Sequence, residues 1–547
     1  MTGDVRLTKC ETRIIDTPDF QRLRGVRQLG AAVYVYPTAL HTRFDHSLGV
    51  LQELDNLISR IATNRAQGSA PSSNFPISAR QRLIARLYAL LHDITHVPFG
   101  HTIEDDLKIF ESHDGFQKGT DDGRDRFDEL LGPEKPIAQI IKEEYGEKIY
   151  QRFVNLFLSG GRESLPEEEI DGSERNTVFD EALYYLVSNT VCADLLDYLK
   201  RDSFFCNLNV STADRVLNYI YIDRVQFGDR GESQVRSDAK HLVMPVIRLW
   251  KTREKRARSD LMTDLADLLD ARYKIGERVY YHHAKIIVDA MIGRVVFEAK
   301  VNGLIESINL LGFSDDTLIQ FLQVKHPSST KLIQELANGV RDRVLYDEIL
   351  NIRADRLRSG TGAGAEPRVR LLGQLRDPET RTDYENQIAE FVGGKPGDIL
   401  IFTPSPTMNA KIASVVVDWA GKRCRLAEVE HSILKDRLKL IGAAHAELWA
   451  VHLLCHPRFD KEQRRRAHNM FCGLFLEDKE RESIVRGLMT DMFHQPLGNH
   501  SKEQWDQAYT EASEEFVRET VSFKSRGIAD RMQDYINRAI DRIVGHV

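Results

Sequence analysis

Residues 90–101, LLHDITHVPFGH, decide how this chain is read. Ser78 is placed to cap a helix that runs to about His92, with Leu83, Ile84, Leu87, Leu90 and Leu91 on a wide apolar face. The His92-Asp93 pair therefore arrives at the end of a core helix. An imidazole beside a carboxylate is poor core material there, because a buried carboxylate without a compensating partner is costly. A cation is the most economical compensator, since imidazole nitrogen and carboxylate oxygen both suit a first-row divalent metal. His96 and His101 follow. Pro98 disfavours helical geometry at its predecessor, so a loop over the metal is expected.

Three further stretches extend the pattern: RFDHS (43–47), SHDGF (112–116) and VCADLLDYLKRD (191–202). His46 and Asp194 would complete a set of two histidines and two aspartates drawn from three separate helices. Four protein ligands leave positions open for water and substrate, as a catalytic metal requires. Histidines beside a metal-held phosphate can donate a proton to a leaving oxygen. His96, His101 and His113, with Glu104 nearby, are the candidates.

The remainder of the chain bounds the function class. Its 547 residues are 42% hydrophobic and 29% charged, a globular balance with ample core material. A net charge of −7 argues against a protein that coats DNA. Six cysteines without any Cys-x-x-Cys spacing fit a reducing cytoplasm. No signal peptide is visible at the N-terminus, and the apolar run Leu440 to Cys455 is too short and polar to span a membrane. That run is expected to be a buried helix.

The expected fold class is mainly α: a large helical catalytic core with a smaller C-terminal α+β lobe. Thr17-Pro18 starts a helix in which Leu23, Val26 and Leu29 recur, and a second runs from Phe44 to about Asn64. Residues 160–175 read as a polar loop. Helical patterning is expected from Asp180, with breaks, to about Ile352. Residues 359–367 (SGTGAGAEP) form the clearest linker. Residues 398–430 look β, with Ala420-Gly421 as a hairpin turn, and the tail from 431 is expected to be helical, with an amphipathic end near Met532 to Val544. The expected partition is residues 1–357 as helical core, 358–397 as linker and connection, and 398–547 as the lobe. Outside the core, His445, His452 and His456 are expected on one packed helix, and the basic run at 461–468 on a solvated helix face.

The stretches IIDTPDFQRLRGVRQLG, HTRFDHSLGV, LLHDITHVPFGH and DLLDYLKRD together resemble the deoxynucleoside triphosphate triphosphohydrolases with an HD domain, in particular the SAM-and-HD-domain branch and its bacterial relatives without a SAM domain. The resemblance covers roughly residues 3–300. It implies metal ligation by His46, His92, Asp93 and Asp194, with the metal being Fe, Mn, Zn, Ni or Mg. It implies that His101 is the leading proton donor, with His96, His113 and Glu104 around it. Relatives carry Asp where this chain has Glu104. Gln28 and Asp202 match positions that hold the sugar 3′-hydroxyl, and Leu29 and Tyr280 match a steric gate against a 2′-hydroxyl. Arg43, Tyr198 and Arg272 match phosphate contacts. Asp16, Gln21 and Arg24 match part of an allosteric guanine-nucleotide pocket, and His282 or His283 would line the substrate pocket beside Tyr280.

The implied activity is metal-dependent hydrolysis of deoxynucleoside triphosphates to deoxynucleoside and inorganic triphosphate, with nucleotide regulation as a further expectation. A cytoplasmic homo-oligomer with no membrane partner, serving nucleotide-pool control or antiviral defence, is the expected setting. There are departures from the family pattern. Leu195 stands where the family has a phosphate-binding Lys, and Lys200 or Arg201 are the candidate substitutes. Asp260 and Asp264 replace a Lys and an Asn of the effector pocket, and the N-terminal Lys and Asn of that pocket have no counterpart. A different activator, or none, is therefore expected. The alternative readings are an HD-type phosphohydrolase or nuclease acting on single-stranded nucleic acid or another nucleotide, and a catalytically silent nucleotide-sensing scaffold.

Overall fold

The computed structural model describes residues 4–66, 75–112, 121–160, 178–210, 214–225, 242–251, 254–353, 371, 373–404 and 415–476. In chain order the elements are α1 (Lys9–Ile15), α2 (Pro18–Gln21), α3 (Arg43–Ala66), α4 (Ala79–Leu91), α5 (Asp121–Leu131), α6 (Pro136–Tyr145), α7 (Glu147–Ser159), α8 (Val178–Val187) and α9 (Ala193–Phe205). Then come β1 (Ile220–Val225), β2 (Leu242–Arg248), β3 (Trp250–Lys251), β4 (Arg256–Ala257), α10 (Ser259–Ile275), α11 (His283–Val301), α12 (Asp315–Gln323), α13 (Lys331–Arg341) and β5 (Asp347–Arg353). The last are α14 (Pro378–Phe391), β6 (Ile399–Phe402), β7 (Val416–Trp419), β8 (Lys422–Arg425), α15 (Ser432–Glu447), β9 (Ala450–Cys455) and α16 (Lys461–Phe475). The fold is mainly α with small sheets, as the sequence implies.

Local signals act where they are strongest. Ser78 forms a capping box with Gln81 at the start of α4, its Oγ accepting from the Gln81 amide at 3.2 Å. Thr17 caps α2 with Pro18 at its first position. That helix lasts only one turn, however, so Leu23, Val26 and Leu29 do not share a single helix: a 3-10 turn, Arg22–Gly25, replaces it. This shape brings the backbone around 25–30 against the start of α3, where Arg27 and Thr42 bridge.

Three large apolar clusters organise the packing of the described residues, beside a smaller one around Tyr221, Val246 and Val416. The first gathers α3, α4, α6 to α10 and β1, β2 and β7 around side chains such as Leu51, Leu87, Phe153 and Leu199. The second lies between α11, α12, α13 and residues 97–110. The third is built from β5, β6, β9, α14 and α16 around Trp449, Val451 and Phe471.

Among the described residues, the strands lie in three sheets. One has the order β1-β2-β7-β8, antiparallel except for the parallel β2–β7 pair with Ile247 opposite Val417. Another has the order β5-β9-β6, antiparallel throughout. The third is the short β3–β4 pair. The β7–β8 turn at Ala420-Gly421 is the expected one: both residues have positive φ, 53° and 83°, the pair of conformations a two-residue hairpin demands.

Several expectations need correction. Residues 440–455 are not one helix, because α15 ends at Glu447 and Ala450–Cys455 is the central strand of its sheet. All six residues of β9 are buried, so the alternation that marks a half-exposed strand is missing. His445 is on α15, His452 on β9 and His456 beyond it, so they share no helix. Residues 180–352 contain β1, β2 and most of β5 among their helices. Within 358–397, α14 packs into the third cluster, and the β7–β8 hairpin joins strands from before residue 358. The basic run lies on α16, where Arg464 pairs with Asp347 at 2.6 Å and Arg466 donates to the Phe391 carbonyl at 2.6 Å. Residues 161–175, 359–367 and 532–544 lie outside the described residues.

Candidate functional site

Three helices, α3, α4 and α9, deliver the charged residues of the cluster expected from the sequence. At the start of α3, the Asp45 carboxylate accepts from the Thr42 amide at 3.0 Å, which fixes the first turn and turns His46 inward. His92 is the residue immediately after α4. Its Nδ1–H donates to the Ala89 carbonyl at 2.8 Å, which leaves the Nε2 lone pair facing the cluster. That Nε2 is buried and has no hydrogen-bond partner among the described residues. Donor atoms of His46, His92 and Asp93 lie within 4.8 Å of one another. Asp194, in the first turn of α9, approaches His46 Nε2 to 3.1 Å.

This donor set fits a divalent cation. An unsatisfied buried imidazole nitrogen beside a buried carboxylate carries a desolvation penalty that a metal removes. Burial disfavours a charged His46, yet Asp194, Asp197 and Asp93 outweigh it and the imidazole is pushed up to about 10. Burial alone would raise Asp194, but the His46 contact holds it below the ordinary aspartate value. The cluster thus demands positive charge at its centre.

The group that orients His46 was not anticipated. Asp197, one turn beyond Asp194, accepts from His46 Nδ1 at 2.9 Å and from Arg201 Nε and Nη2, both at 2.8 Å. A carboxylate behind a ligating histidine sets its tautomer and ring angle. Gly49 is what lets Asp197 approach: a Cβ there would overlap the Asp197 carboxylate and the Arg201 guanidinium. The signal in the sequence is the Asp194, Asp197, Arg201 spacing, which places all three on one face of a helix.

The segment after Asp93 forms a second wall. Arg22 donates to the His96 carbonyl at 2.8 Å and to that of Ile94. Phe99 has φ 52°, and a π-helical turn, His101–Asp106, follows. His96 is buried, with Nε2 3.4 Å from Asp93, and its ring meets that of His101 at 4.9 Å. His101 is largely exposed, and its Nδ1 lies 2.8 Å from Asp105.

Glu104 faces inward. It is fully buried, pairs with the equally buried Arg126, and sits 3.9 Å from His96 Nδ1. Asp105 is the carboxylate at His101, so the carboxylate expected at Glu104 stands one position later. The neighbouring Thr102 is anchored from α11, donating to Asp289 at 2.8 Å. His113 lies outside the described residues.

On the other side, Asp202 accepts from Tyr280 Oη at 2.7 Å and meets His41 Nε2 at 2.8 Å. Tyr280 ends a second π-helical turn, Gly276–Tyr280. Burial first, and Asp202 next, keep its phenol protonated, so it remains a donor. Gln28 follows the bridge residue Arg27, and its Oε1 is buried without a partner among the described residues. Leu29 is buried beside it in the chain. His41, whose ring stacks on Phe205 at 4.5 Å, is another residue sequence reasoning missed.

The cationic residues divide in two. Arg43 Nη1 binds Asp93 at 2.6 Å, so it acts on the cluster directly. Arg272 is half-buried, close enough to lower the raised Tyr198 and Tyr281 phenols electrostatically, and has no ion pair among the described residues. Leu195 is buried in the main core. Neither proposed substitute replaces the lost lysine: Lys200 is bound by Glu53 and Asp214 at 3.0 and 2.9 Å, and Arg201 by Asp197. His282 caps α11, and its ring stacks on His283 at 4.4 Å.

Asp16, Gln21 and Arg24 lie close together on the surface. Gln21 bonds the Ile15 carbonyl and accepts from Arg24 Nε, both at 2.8 Å, and Arg24 lies 3.6 Å over the Phe44 ring. Asp260 and Asp264 do not stand as bare carboxylates: Arg215 pairs with Asp260 and lies 3.9 Å from Asp264.

Comparison with known proteins identifies families and relatives that this chain resembles. Residues 43–175 match the HD domain family and residues 265–472 the HD associated region. An HD domain-containing protein of Acanthamoeba polyphaga mimivirus is 31% identical over 234 residues, 41% of this chain and 46% of that one. An uncharacterised protein of Methanocaldococcus jannaschii is 28% identical over 323 residues, covering 59% and 53%. The deoxynucleoside triphosphate triphosphohydrolase SAMHD1 of Mus musculus is 25% identical over 368 residues, covering 63% and 52%. The matches span about half the length of these relatives. A solved structure of a hypothetical protein from Aquifex aeolicus superposes with a TM-score of 0.55 at 19% identity, over 85% of this chain and 97% of that one, a likeness of fold. Among the described residues, no helix is long and apolar enough to cross a membrane.

Proposed function

We propose that this chain, which belongs to the HD-domain family that includes deoxynucleoside triphosphate triphosphohydrolases, hydrolyses deoxynucleoside triphosphates to deoxynucleoside and inorganic triphosphate. The observation that carries the reading is one helix serving two subsites. Asp194 at the cation cluster and Asp202 at the Tyr280–His41 pair both lie on α9. Eight residues at 1.5 Å rise separate them by about 12 Å, the scale of a sugar joined to its phosphates.

His46, His92, Asp93 and Asp194 are the residues that would hold the metal. When bound, a divalent cation supplies Lewis acidity to phosphate oxygens and lowers the pKa of water. Asp197 orients His46, and Arg43 holds Asp93. Water attacks the α-phosphorus and releases a proton to solvent, a new P–O bond forms and the bond to the 5′-oxygen breaks. His101 gives its proton to that oxygen, with Asp105 steadying the imidazolium. His96 and Glu104 support the wall that carries His101. Arg272 and Tyr198 face the phosphates, and Arg272 offsets the charge that develops there. Gln28 and Asp202 hold the 3′-hydroxyl, while Leu29 and Tyr280 close the space a 2′-hydroxyl needs.

One observation favours a second reading. With Leu195 in the core and Lys200 and Arg201 already paired, the site holds less positive charge for a triphosphate than the family pattern does. Another nucleotide, or a single-stranded nucleic acid, presents fewer charges at the reacting phosphate. A panel of four dNTPs, four NTPs and single-stranded DNA, run with Mg, Mn, Fe, Zn and Ni, separates the readings. Turnover of DNA with no turnover of dNTPs selects the second.

A further inference from the structure

The first residue of α12 lies far along the chain from every residue given a role above, yet it touches both walls of the site. Asp315 is completely buried. One carboxylate oxygen accepts from the Arg27 amide at 2.6 Å, next to Gln28, and the other from the Phe99 amide at 2.9 Å, two residues before His101. The approach is built in at several points. Ser314 caps α12, accepting from the Thr317 amide at 3.1 Å, and so fixes the carboxylate's direction. A Cβ on Gly25 would overlap Ser314, so only glycine admits this helix end to the loop. Phe99 holds a left-handed φ of 52° against Gly30, itself at 49°. A non-glycine residue in that region costs energy and persists only where its surroundings insist on it.

We infer that Asp315 is a positioning residue that clamps the Gly25–Gly30 loop to the Val97–His101 loop, setting the sugar-holding Gln28 and the proton-donating His101 at one fixed separation. The role at the substrate rests on the proposed dNTPase reading; the coupling of the two loops does not. A carboxylate can accept from two convergent amides, whereas an asparagine turns one of its two acceptors into a donor facing an N–H. Asp315→Asn therefore releases one loop from the other without changing the side chain's size. Asp316, its neighbour, makes an exposed pair with the Arg27 guanidinium at 2.7 Å, worth little by comparison, and serves as the control.

The test pairs hydrogen exchange with kinetics on the full chain. In the wild type, the Arg27 and Phe99 amides should show the same protection, because one opening frees both. In Asp315→Asn the amide left facing the new side-chain N–H should exchange about tenfold faster or more, with α9 unchanged, as expected when a charge-assisted bond is lost. The same variant should lose about a hundredfold in kcat, with KM within about threefold. Asp316→Asn should change neither. Wild-type protection differing by more than about thirtyfold between the two amides overturns the clamp even if the variant does not fold. So does an Asp315→Asn protein whose loops and kcat match the wild type. If exchange couples the loops but the wild type turns over no dNTP, the clamp stands and the substrate reading fails.

Discussion

Gly49→Ala adds one methyl group and no charge, yet it strikes at the metal cluster through two residues that are not themselves ligands. The new Cβ would fall well inside the 3.0 Å that real Cβ atoms respect, against both the Asp197 carboxylate and the Arg201 guanidinium. Both atoms belong to a buried, bidentate ion pair, and neither is the loose end of a flexible chain in solvent. The carboxylate must retreat by about 1 Å, the kind of shift that overpacking a core forces at about 1–3 kcal/mol. From 2.9 Å, the Asp197–His46 contact would then open to about 3.9 Å, beyond hydrogen-bonding distance.

His46 would lose the partner that fixes its ring. Loss of such a partner commonly weakens metal affinity by about 10–100-fold. The assay is metal affinity by competition with a chromophoric chelator, read beside the melting temperature. Gly49→Ala should bind Mn or Fe at least about tenfold more weakly while remaining folded at assay temperature. Affinity within twofold of the wild type would refute the reasoning, because it would mean that Asp197 does not orient His46.

Other outcomes follow from the same geometry. Glu104→Gln leaves Arg126 buried without its countercharge and should cost about 3–5 kcal/mol, seen as a lowered denaturation midpoint. His101→Gln should lower kcat by about 10²–10⁴ with metal content unchanged, and Asp105→Asn should lower it less. Burial raises the Asp315 carboxyl from 3.8 to about 6. The folded state therefore binds that proton more tightly than the unfolded chain does. Its contribution to stability is full below pH 3.8 and lost as the pH rises through about 6, on the order of 3 kcal/mol, a slope that Asp315→Asn should lack in denaturation series.

What the sequence disclosed depended on how local the cause was. The α3 and α4 helices, the Ser78 cap and the Ala420-Gly421 turn are set by neighbours in the chain, and each is where the residues put it. Strand β9 was hidden because a strand buried on both faces reads as an unbroken apolar run, like a core helix. At the site, His46, His92, Asp93 and Asp194 are legible as a set of residue types that suits a divalent cation. Their supporting residues are not.

Asp197 looks like any helix carboxylate until Gly49 and Arg201 are seen beside it. Glu104 and Asp105 differ by one position along a π-helical turn, and it is Asp105 that lies 2.8 Å from His101. Asp315 acts across more than two hundred residues of chain, through backbone amides that carry no sequence signature.

The most direct test of the account is product analysis. The purified protein is incubated with each dNTP and a divalent metal, and products are resolved by anion-exchange chromatography. The account predicts deoxynucleoside and inorganic triphosphate in equal amounts, lost on chelation and in His92→Ala. Pyrophosphate with deoxynucleoside monophosphate, or no turnover with any of Mg, Mn, Fe, Zn and Ni, would contradict it.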